Sequence, residues 1–139
     1  VALAGWGSTQ VLPNPGRAHW APDLSLIDYY DCNIQLHNFP WPTHIHHLHA
    51  FDYNVCSYDL RHSANKTTSC FGDSGGPLFH TVDKRSEGRL TKTTAVQVGV
   101  LSQGTGFCGG FLGVVAPDIY TRLSVYLDWI TQHTRAAVG

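Results

Sequence analysis

The residues with the clearest chemical capacity lie in one short run, Gly72-Asp73-Ser74-Gly75-Gly76, inside the longer string Cys70 to Leu78, CFGDSGGPL. A serine hydroxyl attacking a carbonyl creates an oxyanion, which needs preorganised donors in a place no side chain obstructs. Gly72 offers an unobstructed backbone N–H two residues before Ser74, and the N–H of Ser74 itself is a second. The glycines after the serine permit backbone angles and close approaches that a Cβ forbids. Asp73 places a carboxylate beside this point, and a carboxylate withdrawn from water needs a compensating partner.

A Gly-x-Ser-x-Gly string also fits the strand-turn-helix elbow of α/β hydrolases, which needs an apolar strand before it and a helix after it. Here Asn65-Lys66-Thr67-Thr68-Ser69 precede the run and Pro77 opens a strand-like segment, so the elbow does not fit. Of the nine histidines, His44, His46, His47 and His49 crowd into one segment. Imidazoles this dense can share a zinc ion. In an extended segment, however, His44 and His46 face opposite His47 and His49, which leaves two ligands a side. The segment is therefore expected to be an exposed polar loop, with no metal and no cofactor.

Short strand-like runs recur between Gly, Pro and Asn breakers: Val1–Ala4, Leu24–Tyr30, Pro77–Val82, Thr93–Ser102, Gly113–Val115 and Ile119–Leu123. This pattern predicts an antiparallel sandwich or barrel. The tail differs. Ser124 can cap a helix start, Asp128 suits a first turn, and Val125 and Trp129 stand at i and i+4. One terminal helix packed on a β-barrel is the expected picture. His37 to Val55, broken by Pro40 and Pro42, is expected to be a long loop with a short helix after Thr43.

The chain has 139 residues, 42% apolar and 14% charged, which suits one globular domain with a core. A formal net charge of -1 excludes general attraction to nucleic acid or to acidic membranes, and no apolar run is long enough to span a bilayer. The sequence has no methionine and opens without a charged-then-apolar leader, which predicts the downstream part of a longer protein. Four cysteines, Cys32, Cys56, Cys70 and Cys108, allow three disulfide connectivities and lack metal-ligand spacing. They point to a secreted chain, as does the Asn65-Lys66-Thr67 sequon, which makes Asn65 a candidate glycosylation site.

The nine residues from Cys70 to Leu78 resemble the nucleophile segment of chymotrypsin-like serine proteases. Other blocks resemble the family in its order along the chain: Ala4-Gly5-Trp6-Gly7, Asp31-Cys32, Val55-Cys56, Val98-Gly99-Val100-Leu101-Ser102 and Pro117-Asp118-Ile119-Tyr120-Thr121-Arg122-Leu123. The resemblance implies an all-β fold, with residues 1–139 as the second antiparallel β-barrel of a trypsin-like protease and a C-terminal α-helix. It implies Ser74 as acylation nucleophile, with the Gly72 and Ser74 N–H groups as oxyanion hole and Asp73 as partner of a new N-terminal amine after zymogen cleavage. It implies the disulfides Cys32–Cys56 and Cys70–Cys108, and places Thr68, Ser102, Gln103, Gly104 and Asp118 around bound substrate.

In this family the triad aspartate lies roughly 90 and the histidine roughly 140 residues before the serine. Only 73 residues precede Ser74 here, so both are expected upstream and the chain alone is expected to be inactive. Protein or peptide substrates, protein protease inhibitors and the absent N-terminal barrel are the implied partners. A catalytically inactive homologue that keeps the fold as a binding module is the alternative. Thr68 stands where trypsin-like members carry Asp, and Asp118 stands where a wall glycine is usual. A carboxylate from that second wall implies mixed acceptance of basic and apolar residues, unless the longer 109–116 segment turns it to solvent. Gln103, in place of the usual tryptophan after Ser102, is a further departure.

Overall fold

The computed structural model describes residues 1–7, 18–43, 47–61 and 66–138. Seven strands form one antiparallel sheet: β1 (Ala2–Gly5), β2 (His19–Ala21), β3 (Ser25–Ile27), β4 (Asn54–Tyr58), β5 (Pro77–Ser86), β6 (Arg89–Gln103) and β7 (Asp118–Arg122). Their order across the sheet is β2-β1-β5-β6-β7-β4-β3, and every pairing is antiparallel. Two helices complete the described residues, α1 (Tyr29–Asn38) and α2 (Leu127–Val138), with a 3₁₀ turn over Leu123–Tyr126 leading into α2.

Strand alternation divides the core into two clusters. Cys56 and Ile119 face one, with Cys32, Leu36, Phe39, Ala50 and Ala116. Val55 and Tyr120, their chain neighbours, face the other, with Leu3, Leu24, Leu78 and Leu101. β7 thus serves both cores, and Gly99 on β6 lets Tyr120 come close, since a Cβ there would lie 2.9 Å from the Tyr120 Cβ. The Tyr120 hydroxyl is satisfied by Ser57 Oγ at 2.9 Å, a bond that a buried phenol requires. The disulfide Cys32–Cys56 fastens α1 to β4.

Several elements differ from the sequence expectation. Leu24–Tyr30 is not one strand: β3 ends at Ile27, and Asp28 caps α1, its Oδ1 accepting from Asp31 N at 2.8 Å. Cys32 and Leu36, at i and i+4, are the buried stripe of this helix. The helix stops before Phe39, which is extended as the residue preceding a proline must be. The proposed helix after Thr43 falls partly on residues 44–46, outside the described set, and 47–50 are irregular. Gly113–Val115 is no strand. Phe111 and Val114 exchange hydrogen bonds of 2.8 and 3.0 Å around Leu112 and Gly113, which both have positive φ.

Ser124 does not cap a helix. Its hydroxyl accepts from Arg122 Nε at 3.2 Å, while the 3₁₀ turn has no side-chain cap. Nor do the other described residues cover Trp129 and Leu127 of the tail, which are 60% and 56% exposed. β5 and β6 extend far beyond their expected ends. They meet in a two-residue turn at Glu87 and Gly88, both at positive φ, the type I′ geometry that matches strand twist.

Candidate active site

Three chain segments converge on Ser74. The turn 70–76 carries it; the end of β6, Leu101–Gln103, lies alongside; and the Cys70–Cys108 disulfide ties the first to the loop beyond the second. The turn is stitched down by four backbone hydrogen bonds. Asp73 N donates to Cys70 O at 3.1 Å, Gly75 N to Leu101 O at 2.9 Å and Gly76 N to Asp73 O at 2.9 Å, while Gly76 O accepts from Leu101 N at 2.9 Å. The N–H groups of Gly72 and Ser74 have no acceptor among the described residues. Gly72 takes φ +94°, a conformation that costs a side-chain-bearing residue dearly. Two unbonded donors beside an exposed hydroxyl are what stabilisation of a developing oxyanion requires.

A cleft of about 390 Å³ runs past this hydroxyl, lined by Gly72, Ser74, Ser102, Gln103, Gly104 and Phe71 among others. Six of the residues named from the sequence, Cys70 among them, therefore meet in one place. Asp73 and Thr68 face a neighbouring cavity of about 340 Å³, which Lys66 and Cys108 also line. Asp73 folds back onto the turn at the end of β1, where its carboxylate accepts from Gly7 N at 2.8 Å and from Cys70 N at 3.0 Å. Gly5 and Gly7 make room for it, since a Cβ on Gly7 would sit 2.5 Å from Asp73 Oδ1. Thr68 Oγ1 accepts from Gly109 N at 2.9 Å and donates to Ser69 O at 3.0 Å, which braces the two walls against each other.

Asp118 is buried, not turned to solvent. Its carboxylate accepts from Ser69 N at 2.6 Å and Ser69 Oγ at 2.7 Å, and a Cβ on Gly104 would lie 2.8 Å from it. It thus stands directly behind the cleft wall formed by Ser69 and Gly104. Burial pushes its pKa up to about 6; the two bonds from Ser69 pull the other way, and the charge of Asp73 adds a smaller upward push. Burial, and after it the charge of Asp118, holds the Tyr120 phenol far above its ordinary range. The bond from Ser69 to Asp118 was not legible in the sequence, because nothing in a Thr-Thr-Ser run marks which hydroxyl will meet a carboxylate 49 residues away.

Asp59, also missed, is the other buried carboxylate of note. Arg61 hydrogen-bonds it through Nε at 2.9 Å and Nη2 at 2.6 Å, and Thr67 N adds a bond of 2.7 Å. These donors, Arg61 first, hold its pKa well below the usual carboxylate range. The pair anchors the strand end before the site loop.

Asn65, His44 and His46 lie outside the described residues. His47 stacks on Trp41 with ring centroids 5.3 Å apart, and His49 packs edge-on against Phe51 at 4.9 Å. No described helix is long and apolar enough to cross a membrane.

A family model described as Trypsin matches residues 2–130. The fibrinolytic enzyme isozyme C of Lumbricus rubellus is 29% identical over 133 residues, covering 96% of this chain and 47% of that protein. Tissue-type plasminogen activator of Homo sapiens is 39% identical over 87 residues, covering 60% of this chain and 13% of its own length. Among solved structures, a collagenase (HL collagenase) aligns with a TM-score of 0.56 and 24% identity, over 96% of this chain and 45% of that one. The chain thus spans about half the length of the fibrinolytic enzyme, and less of the plasminogen activator.

Proposed function

The chain belongs to the trypsin family, and on that basis we propose that it is the C-terminal barrel of a secreted serine endopeptidase. The observation that carries this is the pair of N–H groups, of Gly72 and Ser74, without an acceptor among the described residues, beside an exposed serine hydroxyl at a substrate-sized cleft. In the proposed mechanism Ser74 Oγ adds to the scissile carbonyl while an imidazole from the upstream half of the protein takes its proton. The carbonyl oxygen becomes an oxyanion held by the two N–H groups. Collapse of the intermediate expels the amine, which leaves with that proton, and water then releases the acyl group from Ser74.

Residues 1–139 supply the nucleophile and the oxyanion donors, and the triad His and Asp come from the region before them. Ser102, Gln103 and Gly104 line the groove for the substrate backbone. Asp73 accepts the amine released by zymogen cleavage, in the neighbouring cavity that it shares with Lys66. Asp118 stands behind the side-chain pocket, where its carboxylate meets Lys or Arg while neutral Thr68 leaves room for apolar residues. The disulfides, and the relatives' names (a fibrinolytic enzyme and a plasminogen activator), fit an extracellular setting, with protein protease inhibitors as further partners.

The test is labelling of the full-length, proteolytically activated protein with a biotinylated fluorophosphonate, followed by peptide mapping. Adduct on Ser74, absent from Ser74→Ala, is expected. A folded protein whose Ser74 stays unlabelled would instead be a non-catalytic homologue.

A further inference from the structure

From His80 to Gln97 every residue of the β5–β6 hairpin is exposed. β1 pairs with β5 only at Leu78 and Phe79, and β7 pairs with β6 only from Gly99 onward. Between those points the hairpin is a free two-stranded ribbon, with no neighbouring strand among the described residues. Its charge is opposite to that of the remainder. Residues 82–96 carry four cations, Lys84, Arg85, Arg89 and Lys92, against two carboxylates, whereas the rest of the chain carries five cations against eight carboxylates.

The cations are not neutralised locally. Lys84 and Lys92 are direct cross-strand partners and so project from the same face, the arrangement in which like charges destabilise a ribbon. Asp83 belongs to the opposite face, because successive strand residues alternate, and there its Oδ1 accepts from Thr93 Oγ1 at 2.7 Å. Glu87 is confined to the turn. Among the described residues the one ion pair joins Arg61 to Asp59, so all four ribbon cations lack a carboxylate partner.

We propose that this ribbon is a docking arm for a linear sulfated polysaccharide, whose sulfates bridge Lys84 and Lys92 and run on to Arg89, whose partner Ser86 lies on the same face, at the turn. Such a polymer keeps its charge at any physiological pH and needs neither a pocket nor a strand edge. It relieves the Lys84–Lys92 repulsion by direct contact. An extended protein segment would use the open edges for strand addition, and lysine-rich ribbons discourage that mode. The arm continues β6, whose other end lines the Ser74 cleft, so a bound polysaccharide would hold the protein without covering the cleft. The proposal does not depend on the chemistry at Ser74.

The experiment is lysine acetylation of the full-length protein with and without heparin. This chain has three lysines, and Lys66, which faces the cavity beside Asp73, is the internal control. Heparin is expected to protect Lys84 and Lys92 and to leave Lys66 reactive. A Lys84→Gln, Lys92→Gln variant should bind heparin about tenfold more weakly, whereas Arg135→Gln on α2 should not. Loss of a like-charge pair leaves the ribbon folded, so weaker binding reports on contact. Equal protection of all three lysines, no protection, or equal weakening by Arg135→Gln overturns the proposal. So does binding of polyglutamate in preference to heparin, which would assign the arm to an acidic protein segment.

Discussion

With Asp118 proposed to meet a substrate cation, substrate preference should depend on pH in a way that can be worked out beforehand. Its carboxylate is buried behind the cleft wall, with its pKa pushed up to about 6 chiefly by loss of water. Two of its roughly four lone-pair positions are taken by Ser69, which leaves capacity for a substrate cation. Below pH 6 most of the enzyme presents a neutral acid to Arg; above it, a carboxylate. A charge-assisted hydrogen bond is worth about 2 kcal/mol more than none, so the Arg-to-Phe ratio of kcat/KM should rise ~30-fold across the transition. Because kcat/KM reports the free enzyme, the midpoint should lie near 6, the value for the empty site. The catalytic base titrates as well, but it cancels in the ratio of two substrates. The assay is kcat/KM for matched Arg and Phe peptide amides from about pH 5 to pH 8 in the activated full-length protein, wild type and Asp118→Asn. A ratio that is flat with pH in wild type, or that still titrates in Asp118→Asn, refutes the placement of this carboxylate at the side-chain pocket.

The same group has a stability signature. Its folded pKa is raised above the unfolded 3.8, so the folded state holds the proton longer and stability falls as pH rises through that window, by about 3 kcal/mol in all. Chemical denaturation between about pH 4 and pH 7 should show this fall in wild type and not in Asp118→Asn. Gly7→Ala forces a methyl onto the Asp73 carboxylate and should cost about 2 kcal/mol, together with a loss of kcat/KM, read by denaturation and peptide turnover. Tyr120→Phe strands the buried Ser57 hydroxyl and should lower stability by about 1 kcal/mol with activity retained. Residues 1–139 expressed alone, without an upstream imidazole, should give no fluorophosphonate adduct at Ser74, since loss of triad members costs several orders of magnitude; rapid labelling would show that the nucleophile needs no partner from elsewhere.

What the sequence determined by itself was local chemistry and its neighbourhood. Glycines around Ser74, alternation in the strands beside it, and an even set of cysteines are properties of residue types at short spacing, and each constrains the backbone wherever it falls. The short strand β4 and helix α1 were not legible. β4 contains Asn54 and Ser57, which read as loop residues until Tyr120 supplies Asn54 with a carbonyl and Ser57 with a hydroxyl. α1 spends its short apolar stripe on Cys32 and Leu36, too few for a clear period, and is held by Asn33, which bonds Ala50 N and O at 2.8 Å each.

Tertiary structure alone decided the rest. That Asp118 is buried and not turned to solvent depended on a wall residue, Ser69, distant in sequence, because a buried carboxylate is stable only where donors converge on it. That Thr68 braces a wall while Asp73 bends back to Gly7 follows from the Cys70–Cys108 crosslink and the space the glycines leave. The charged end of the ribbon, residues 83–92, was hidden for the opposite reason. Its residues alternate weakly and bury nothing, so no apolar pattern announces them, and only pairing across the Glu87–Gly88 turn makes them strands. Burial patterns write themselves into sequence because both ends of the effect are side chains; hydrogen-bond partners and free strand edges do not, because backbone is the same everywhere until the chain folds.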